Sequence, residues 1–82
     1  MNLASKTNRK RILIADDEPD VLDLLAISFE RAGFEVLRAE DGAEALKQAR
    51  QKTPSLVILD LMMPGMSGLE VARQMKAGEE TA

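Results

Sequence analysis

The sequence of 82 residues contains no cysteine and no histidine. Without cysteine there is no disulfide framework, no thiol nucleophile and no cysteine-ligated zinc or iron–sulfur site. Without histidine there is no Ser-His-Asp triad, no histidine-ligated metal and no imidazole acid or base. Tryptophan and tyrosine are also absent and only two phenylalanines are present, so platforms that stack the bases of single-stranded nucleic acid are not expected.

Long hydrophobic runs are missing as well. The longest uninterrupted apolar runs, such as residues 12–15 and 56–59, are four residues long. Such runs are too short for a membrane span or for the core of a signal peptide. We therefore expect a cytoplasmic protein without a membrane partner.

The composition that remains is typical of one folded domain. The chain is 45% hydrophobic and 30% charged, which argues against a disordered tail. Its net charge of −3 disfavours nucleic acid as a direct partner. Basic residues nevertheless cluster near the N-terminus, and we interpret residues 1–10 as a disordered, solvated basic leader.

The hydrophobic pattern predicts alternating strands and helices from residue 11 onward. Arg11–Ala15 and Leu56–Leu59 are apolar at nearly every position, as in strands covered on both faces. Residues 34–39 are predicted to form a short strand between them. A helical stripe of apolar residues follows each strand: Leu22, Leu25, Ala26 and Phe29 in the first, Ala45, Leu46 and Ala49 in the second, and Gly68, Val71, Ala72 and Met75 in the third.

Residues that commonly begin helices stand where these helices are predicted to start. Pro19 suits the first position of the first helix. Asp41 with Glu44, and Ser67 with Glu70, fit capping boxes at the other two. We expect the third helix to end before Lys76, in a frayed polar tail.

The order β-α-β-α-β-α predicts an α/β fold, a parallel sheet with helices on both faces. If the second and third strands flank the first, the strand order is 2-1-3. The connections then reverse direction between the first and third strands, and ligands bind at the carboxyl ends of the strands at that point.

Acidic residues follow two of the strands directly. Asp16 and Asp17 come after Arg11–Ala15, and Asp60 comes after Leu56–Leu59. Adjacent parallel strands end at one edge of the sheet, so these carboxylates should crowd together and repel one another. A divalent cation removes the conflict, and an all-oxygen site suits Mg²⁺ better than zinc or copper.

A single aspartate at the junction of a strand and a helix is most often a helix cap, and Asp17 fits that role as well. Three acids at two neighbouring strand ends favour a ligand site instead. Asp60 is followed by Leu61, Met62 and Met63 rather than by a helix, so we expect the amides there to be free to face an anion. A carboxylate in such a place can form an aspartyl phosphate. The methionines themselves are expected to fill gaps in the packing.

Two segments resemble the receiver domain of bacterial two-component response regulators. They are Ala15-Asp16-Asp17-Glu18 and residues 59–68, with the sequence LDLMMPGMSG. The acidic pair alone is a weak signal, but both segments at this separation are specific. The resemblance covers about residues 11–75. It implies a flavodoxin-like three-layer fold, and residues 11–82 would be the N-terminal part of such a domain.

The resemblance also implies roles for individual residues. Asp60 would accept a phosphoryl group from a phosphohistidine of a sensor histidine kinase or phosphotransfer protein. Asp16, Asp17 and Asp60, with the backbone carbonyl of Met62, would hold Mg²⁺. The backbones of Leu61 and Met62 would lie at the phosphoryl group, and the Met62 side chain would influence its lifetime. The module would be a signalling domain and no enzyme, beyond assisting its own phosphorylation and dephosphorylation.

The sequence departs from the family in its number of β/α units, three instead of five. The Ser/Thr that ends the fourth strand and the Lys that ends the fifth have no counterpart, and Lys76 is expected at the opposite end of its helix from the acids. We therefore expect slow phosphorylation that does not drive a conformational switch. The third strand would be an exposed edge, and such edges are templates for pairing, so we expect self-association there or pairing with a complementary half.

Other functions compete with phosphoacceptance. The chain could act in assembly or oligomerisation alone, with acids that play no part. A hydrolase with an Asp-x-Asp nucleophile is excluded because Met62 stands where the second acid would be. No glycine-rich nucleotide-binding motif is present.

Overall fold

The computed structural model describes the backbone of residues 9–81 and the side chains of residues 9–77. Three strands alternate with three helices: β1 (Arg11–Ala15), α1 (Pro19–Arg31), β2 (Glu35–Ala39), α2 (Gly42–Lys52), β3 (Leu56–Leu59) and α3 (Gly68–Thr81). Residues 1–8 of the expected leader lie outside the described residues, whereas Arg9 and Lys10 are exposed. Among residues 9–81, no helix has both the length and the apolar character needed to cross a membrane.

The strands form one parallel sheet in the order β2-β1-β3, which confirms the predicted order. Leu13 of β1 pairs with Leu37 on one side and with Val57 on the other. The central position of β1 explains its continuous apolar sequence, because its residues are covered on both faces of the sheet.

Alternate residues of β1 face two separate halves of the core. Ile12 and Ile14 pack against Leu22 of α1. Leu13 and Ala15 lie on the other face, in a cluster with residues of α2, α3 and the segment before α3, namely Ala45, Leu46, Met63 and Val71. The helices therefore cover both faces of the sheet, because the side chains of a strand alternate between its faces.

The predicted caps begin α2 and α3. Asp41 accepts a hydrogen bond of 2.8 Å from the Glu44 amide, and Ser67 Oγ accepts one of 3.2 Å from the Glu70 amide. Each cap satisfies one amide that the first helical turn leaves without a partner. The caps therefore fix where both helices start, next to the carboxyl ends of the strands.

The predicted cap of α1 is wrong. The residue at the cap position is Glu18, and its side chain makes no capping hydrogen bond, so Asp17 does not cap this helix. Asp16 Oδ1 accepts a hydrogen bond of 2.9 Å from the Glu18 amide instead. Because Pro19 has no amide hydrogen, the first turn has one donor fewer to satisfy.

Two element boundaries and the exposure of two residues also differ from expectation. The strand β2 begins at Glu35, and α3 continues to Thr81 rather than ending before Lys76. Ala72 is exposed although it was assigned to the buried stripe of α3. Leu56 is 51% exposed, although its apolar run predicted a strand covered on both faces. The edge position of β3 among the described residues, which the order 2-1-3 predicted, leaves this residue open to solvent.

Candidate functional site

The carboxylates of Asp16, Asp17 and Asp60 meet at the carboxyl end of the sheet. One oxygen from each residue lies within 4.8 Å of the others. The register explains this, since Ala15 pairs with Leu59 and the next residues along each strand are Asp16 and Asp60. The gathering of these side chains is what the sequence predicted.

Backbone hydrogen bonds hold Asp16 and Asp60, the two half-buried residues of this acidic cluster. The Asp60 amide donates to the Ala15 carbonyl at 2.9 Å, and the Asp16 amide donates to the Ala39 carbonyl at 3.1 Å. The pairing of β1 with its neighbours thus continues one residue past the strands. Asp16 and Asp60 are therefore held at the edge of the sheet by its backbone hydrogen bonds.

Local turns orient the carboxylates. Asp16 Oδ1 accepts the Glu18 amide at 2.9 Å, and Asp60 Oδ1 accepts the Met62 amide at 3.0 Å. A carboxylate can accept several hydrogen bonds or ligands through its two oxygens. Each side chain is thus fixed by its own backbone while the second oxygen remains to bind a cation or attack an electrophile.

The electrostatics of the acidic cluster favour a bound cation. Asp16 and Asp60 are half-buried and Asp17 is exposed. The ion pairs formed by described side chains, Arg11–Glu35, Arg38–Asp23 and Arg73–Glu70, do not include the cluster. Three like charges at this separation repel one another. Their donor atoms are oxygens only, a set that suits Mg²⁺ better than zinc or copper.

The segment after Asp60 differs in part from expectation. Met63 is buried in the core, but Met62 is 84% exposed and does not fill a gap in the packing. The Met62 amide was expected to be free for an anion, yet it donates to Asp60 Oδ1. The Leu61 side chain is exposed like that of Met62, so both point their apolar side chains to solvent beside the acidic cluster.

Two glycines make backbone contacts around this segment that the sequence analysis missed. A Cβ on Gly68 would lie 2.4 Å from the Asp60 carbonyl oxygen, and a Cβ on Gly42 would lie 2.4 Å from the Met66 carbonyl oxygen. Both distances are far below van der Waals contact. The only signal in the sequence is a glycine at the start of each helix, where an ordinary residue would serve as well.

The family model of the response regulator receiver domain matches residues 12–82. The chain belongs to this family. The assignment made from the two motifs is therefore confirmed, and the family is one of signalling domains rather than of enzymes.

Known proteins of two bacteria are similar to most of this chain in sequence. The alkaline phosphatase synthesis transcriptional regulatory protein PhoP of Bacillus subtilis is 45% identical over 67 residues, which are 82% of this chain and 28% of PhoP. Protein PilH of Pseudomonas aeruginosa is 40% identical over 88% of this chain and 60% of PilH. The chain therefore spans less than two thirds of either relative.

A solved structure shows the same fold. The response regulator TrrA of Thermotoga maritima, in complex with Mg²⁺–BeF, superimposes with a TM-score of 0.83 and 46% identity. The match covers 87% of this chain and 62% of the TrrA chain. The described residues thus have the receiver fold reduced to three strands and three helices, which confirms the predicted fold class.

Proposed function

We propose that this receiver domain is a phosphoacceptor module of a two-component system or phosphorelay. Asp60 would receive the phosphoryl group from a phosphohistidine on a histidine kinase or phosphotransfer protein. The observation that carries the proposal is the approach of three carboxylates within 4.8 Å at the end of the sheet. The complex of the similar protein TrrA with Mg²⁺–BeF supports it.

Four groups of the chain would hold Mg²⁺: the carboxylates of Asp16, Asp17 and Asp60, and the backbone carbonyl of Met62. The ion would neutralise the negative charge that develops on the oxygens of the transferred group. Asp16 and Asp60 suit the role of metal ligands, because hydrogen bonds to the sheet already hold both in place. Asp17, which is more exposed, would complete the set from the solvent side.

The chemical step needs only a positioned carboxylate from the chain. One oxygen of Asp60 would attack phosphorus opposite the bond to the imidazole nitrogen of the donor. The new P–O bond forms as the P–N bond breaks, and the electron pair of the P–N bond returns to the imidazole ring. The Met62 amide, by donating to Oδ1 of Asp60, fixes the side chain so that the other oxygen can reach the phosphorus. The backbones of Leu61 and Met62 would border the product.

The test supplies a small phosphoryl donor in place of the kinase. The full chain is incubated with acetyl phosphate and Mg²⁺, and intact-mass spectrometry measures its mass. We expect a gain of one phosphoryl group that requires Mg²⁺ and that hydroxylamine removes, as it removes an acyl phosphate. No gain of mass in a folded chain that binds Mg²⁺ would contradict the proposal.

A role in assembly alone is less well supported. Concentrating three carboxylates without a described basic partner costs stability, and a fragment that served only to associate would gain nothing from it. Self-association is compatible with phosphoacceptance, however. We propose that it occurs through β3. One edge of β3 pairs with β1, and its outer edge pairs with no strand among residues 9–81.

A charge on this edge should weaken self-association. Leu56 is 51% exposed at the start of β3, and lysine on an edge strand opposes pairing with another chain. We expect Leu56→Lys to shift the chain toward monomer in size-exclusion chromatography with light scattering. Leu24→Lys is the matched control, because Leu24 is 67% exposed on α1, a helix that packs mainly on β1 and β2. A wild-type chain that is monomeric at micromolar concentration, or equal effects of both substitutions, would refute pairing through β3.

A further inference from the structure

We infer that Gly68 is a positioning residue for Asp60: the missing side chain lets the first turn of α3 rest directly on the Asp60 peptide and closes the segment that carries Met62. The inference rests on the proposed function, since it assigns Gly68 a part in the same metal and phosphoryl site. Gly68 has no side chain and would itself bind neither the metal nor the phosphoryl group.

The contact closes a loop on itself. Residues 61–67 leave the sheet at Asp60 and return to it at Gly68, where a Cβ would lie 2.4 Å from the Asp60 carbonyl oxygen and 2.9 Å from its carbonyl carbon. The same Cβ would lie 3.1 Å from the Cα of Leu61. The two ends of the loop are therefore in backbone contact, and the Met62 carbonyl lies between them along the chain.

Neither side of this contact can move freely. Asp60 is tied to β1 by its amide. The helix α3 is anchored by Val71, which is fully buried in the cluster with Leu13 and Leu46. Any side chain larger than hydrogen at residue 68 must therefore open the loop or tilt α3, by about 1 Å if ordinary contact distance is to be restored.

Such a shift would change the positions of the metal ligands. Mg²⁺ requires nearly ideal octahedral geometry, and a ligand set works only when held to within about 0.5 Å of its productive arrangement. A neighbour that orients metal ligands typically changes affinity or activity by about 10- to 100-fold when it is mutated. Gly68 acts by steric contact with the backbone, but the consequence for the ligands is the same.

The decisive variant is Gly68→Ala in the full chain. We expect the Kd for Mg²⁺, measured from amide shifts of the folded protein by NMR, to rise about tenfold or more. The rate of phosphorylation by acetyl phosphate should fall about 100-fold, as expected for a displacement near 1 Å. Gly33→Ala is the control for lost stability alone, because Gly33 has φ of +100° and nothing within 4 Å of an added Cβ. The Kd of Gly33→Ala for Mg²⁺ should stay at the wild-type value.

A milder pair of variants serves if Gly68→Ala does not fold. Ser67 Oγ caps α3 through the Glu70 amide at 3.2 Å, so it sets where the first turn of α3 rests. Ser67→Ala should raise the Kd for Mg²⁺ about three- to tenfold, and Ser67→Thr, which keeps the hydroxyl cap, should restore it.

The outcomes separate a positioning role from a structural one. The inference is overturned if Gly68→Ala lowers the urea midpoint as Gly33→Ala does but leaves the Mg²⁺ affinity of the folded protein unchanged. Unchanged affinity in Ser67→Ala overturns it if Gly68→Ala does not fold. A wild-type chain that binds Mg²⁺ but takes up no phosphoryl group contradicts the proposed function alone, because the metal titration still decides the role of Gly68.

Discussion

Replacing Asp60 with asparagine should abolish phosphoryl uptake from acetyl phosphate. An amide oxygen is a far weaker nucleophile than a carboxylate, and the substitution also removes one negative charge from the metal ligands. Asparagine has nearly the same shape and retains an oxygen to accept the Met62 amide, so the fold should persist. Intact-mass spectrometry should show the unmodified chain only.

The matched control is Asp20→Asn, which removes an exposed carboxylate from the first turn of α1. It makes the same chemical change away from the acidic cluster, and phosphorylation should continue at the wild-type rate. Phosphoryl uptake by Asp60→Asn would show that another residue is the acceptor. Equal loss in both variants would show that the effect is not specific to Asp60.

Truncating the centre of the sheet should have the largest effect on stability. Leu13 is fully buried on β1, and burial of this kind makes Leu→Ala cost about 3–5 kcal/mol in the free energy of unfolding. A domain of this size has roughly 4–12 kcal/mol in total. We therefore expect Leu13→Ala to lower the urea midpoint strongly, and to unfold the chain in water if its stability lies at the low end of this range.

Leu24→Ala is the matched control, because the same atoms are removed from a side chain that is 67% exposed. Its effect should be within about 0.5 kcal/mol of zero. Urea denaturation followed by far-ultraviolet circular dichroism compares the two variants. Similar midpoints would contradict the assignment of β1 as the core strand.

The features that the sequence predicted well depend on local patterns. The apolar runs, the helical stripes and the caps at Asp41 and Ser67 each involve residues a few positions apart. Alternating strands and helices then restrict the topology to parallel strands with few possible orders. The acidic cluster follows from this topology, because strand ends at one edge place Asp16 next to Asp60.

The features that the sequence did not predict depend on contacts between distant segments. Gly42 lies against Met66, and Gly68 against Asp60, and nothing near either glycine in the sequence indicates such an approach. Asp17 fits a helix cap by residue type, but Pro19 and the turn at Asp16 leave it in the acidic cluster instead. The exposure of Met62 likewise depends on how the loop closes, since methionine suits both core and surface.

The most direct test of the account is a magnesium titration of the wild-type chain followed by NMR. Because one ion would be shared by three carboxylates, the amide signals of Asp16, Asp17 and Asp60 should move together with a single midpoint. Separate midpoints for the two strand ends, or signals that do not move at all in the folded protein, would contradict the single metal site on which the proposed function depends.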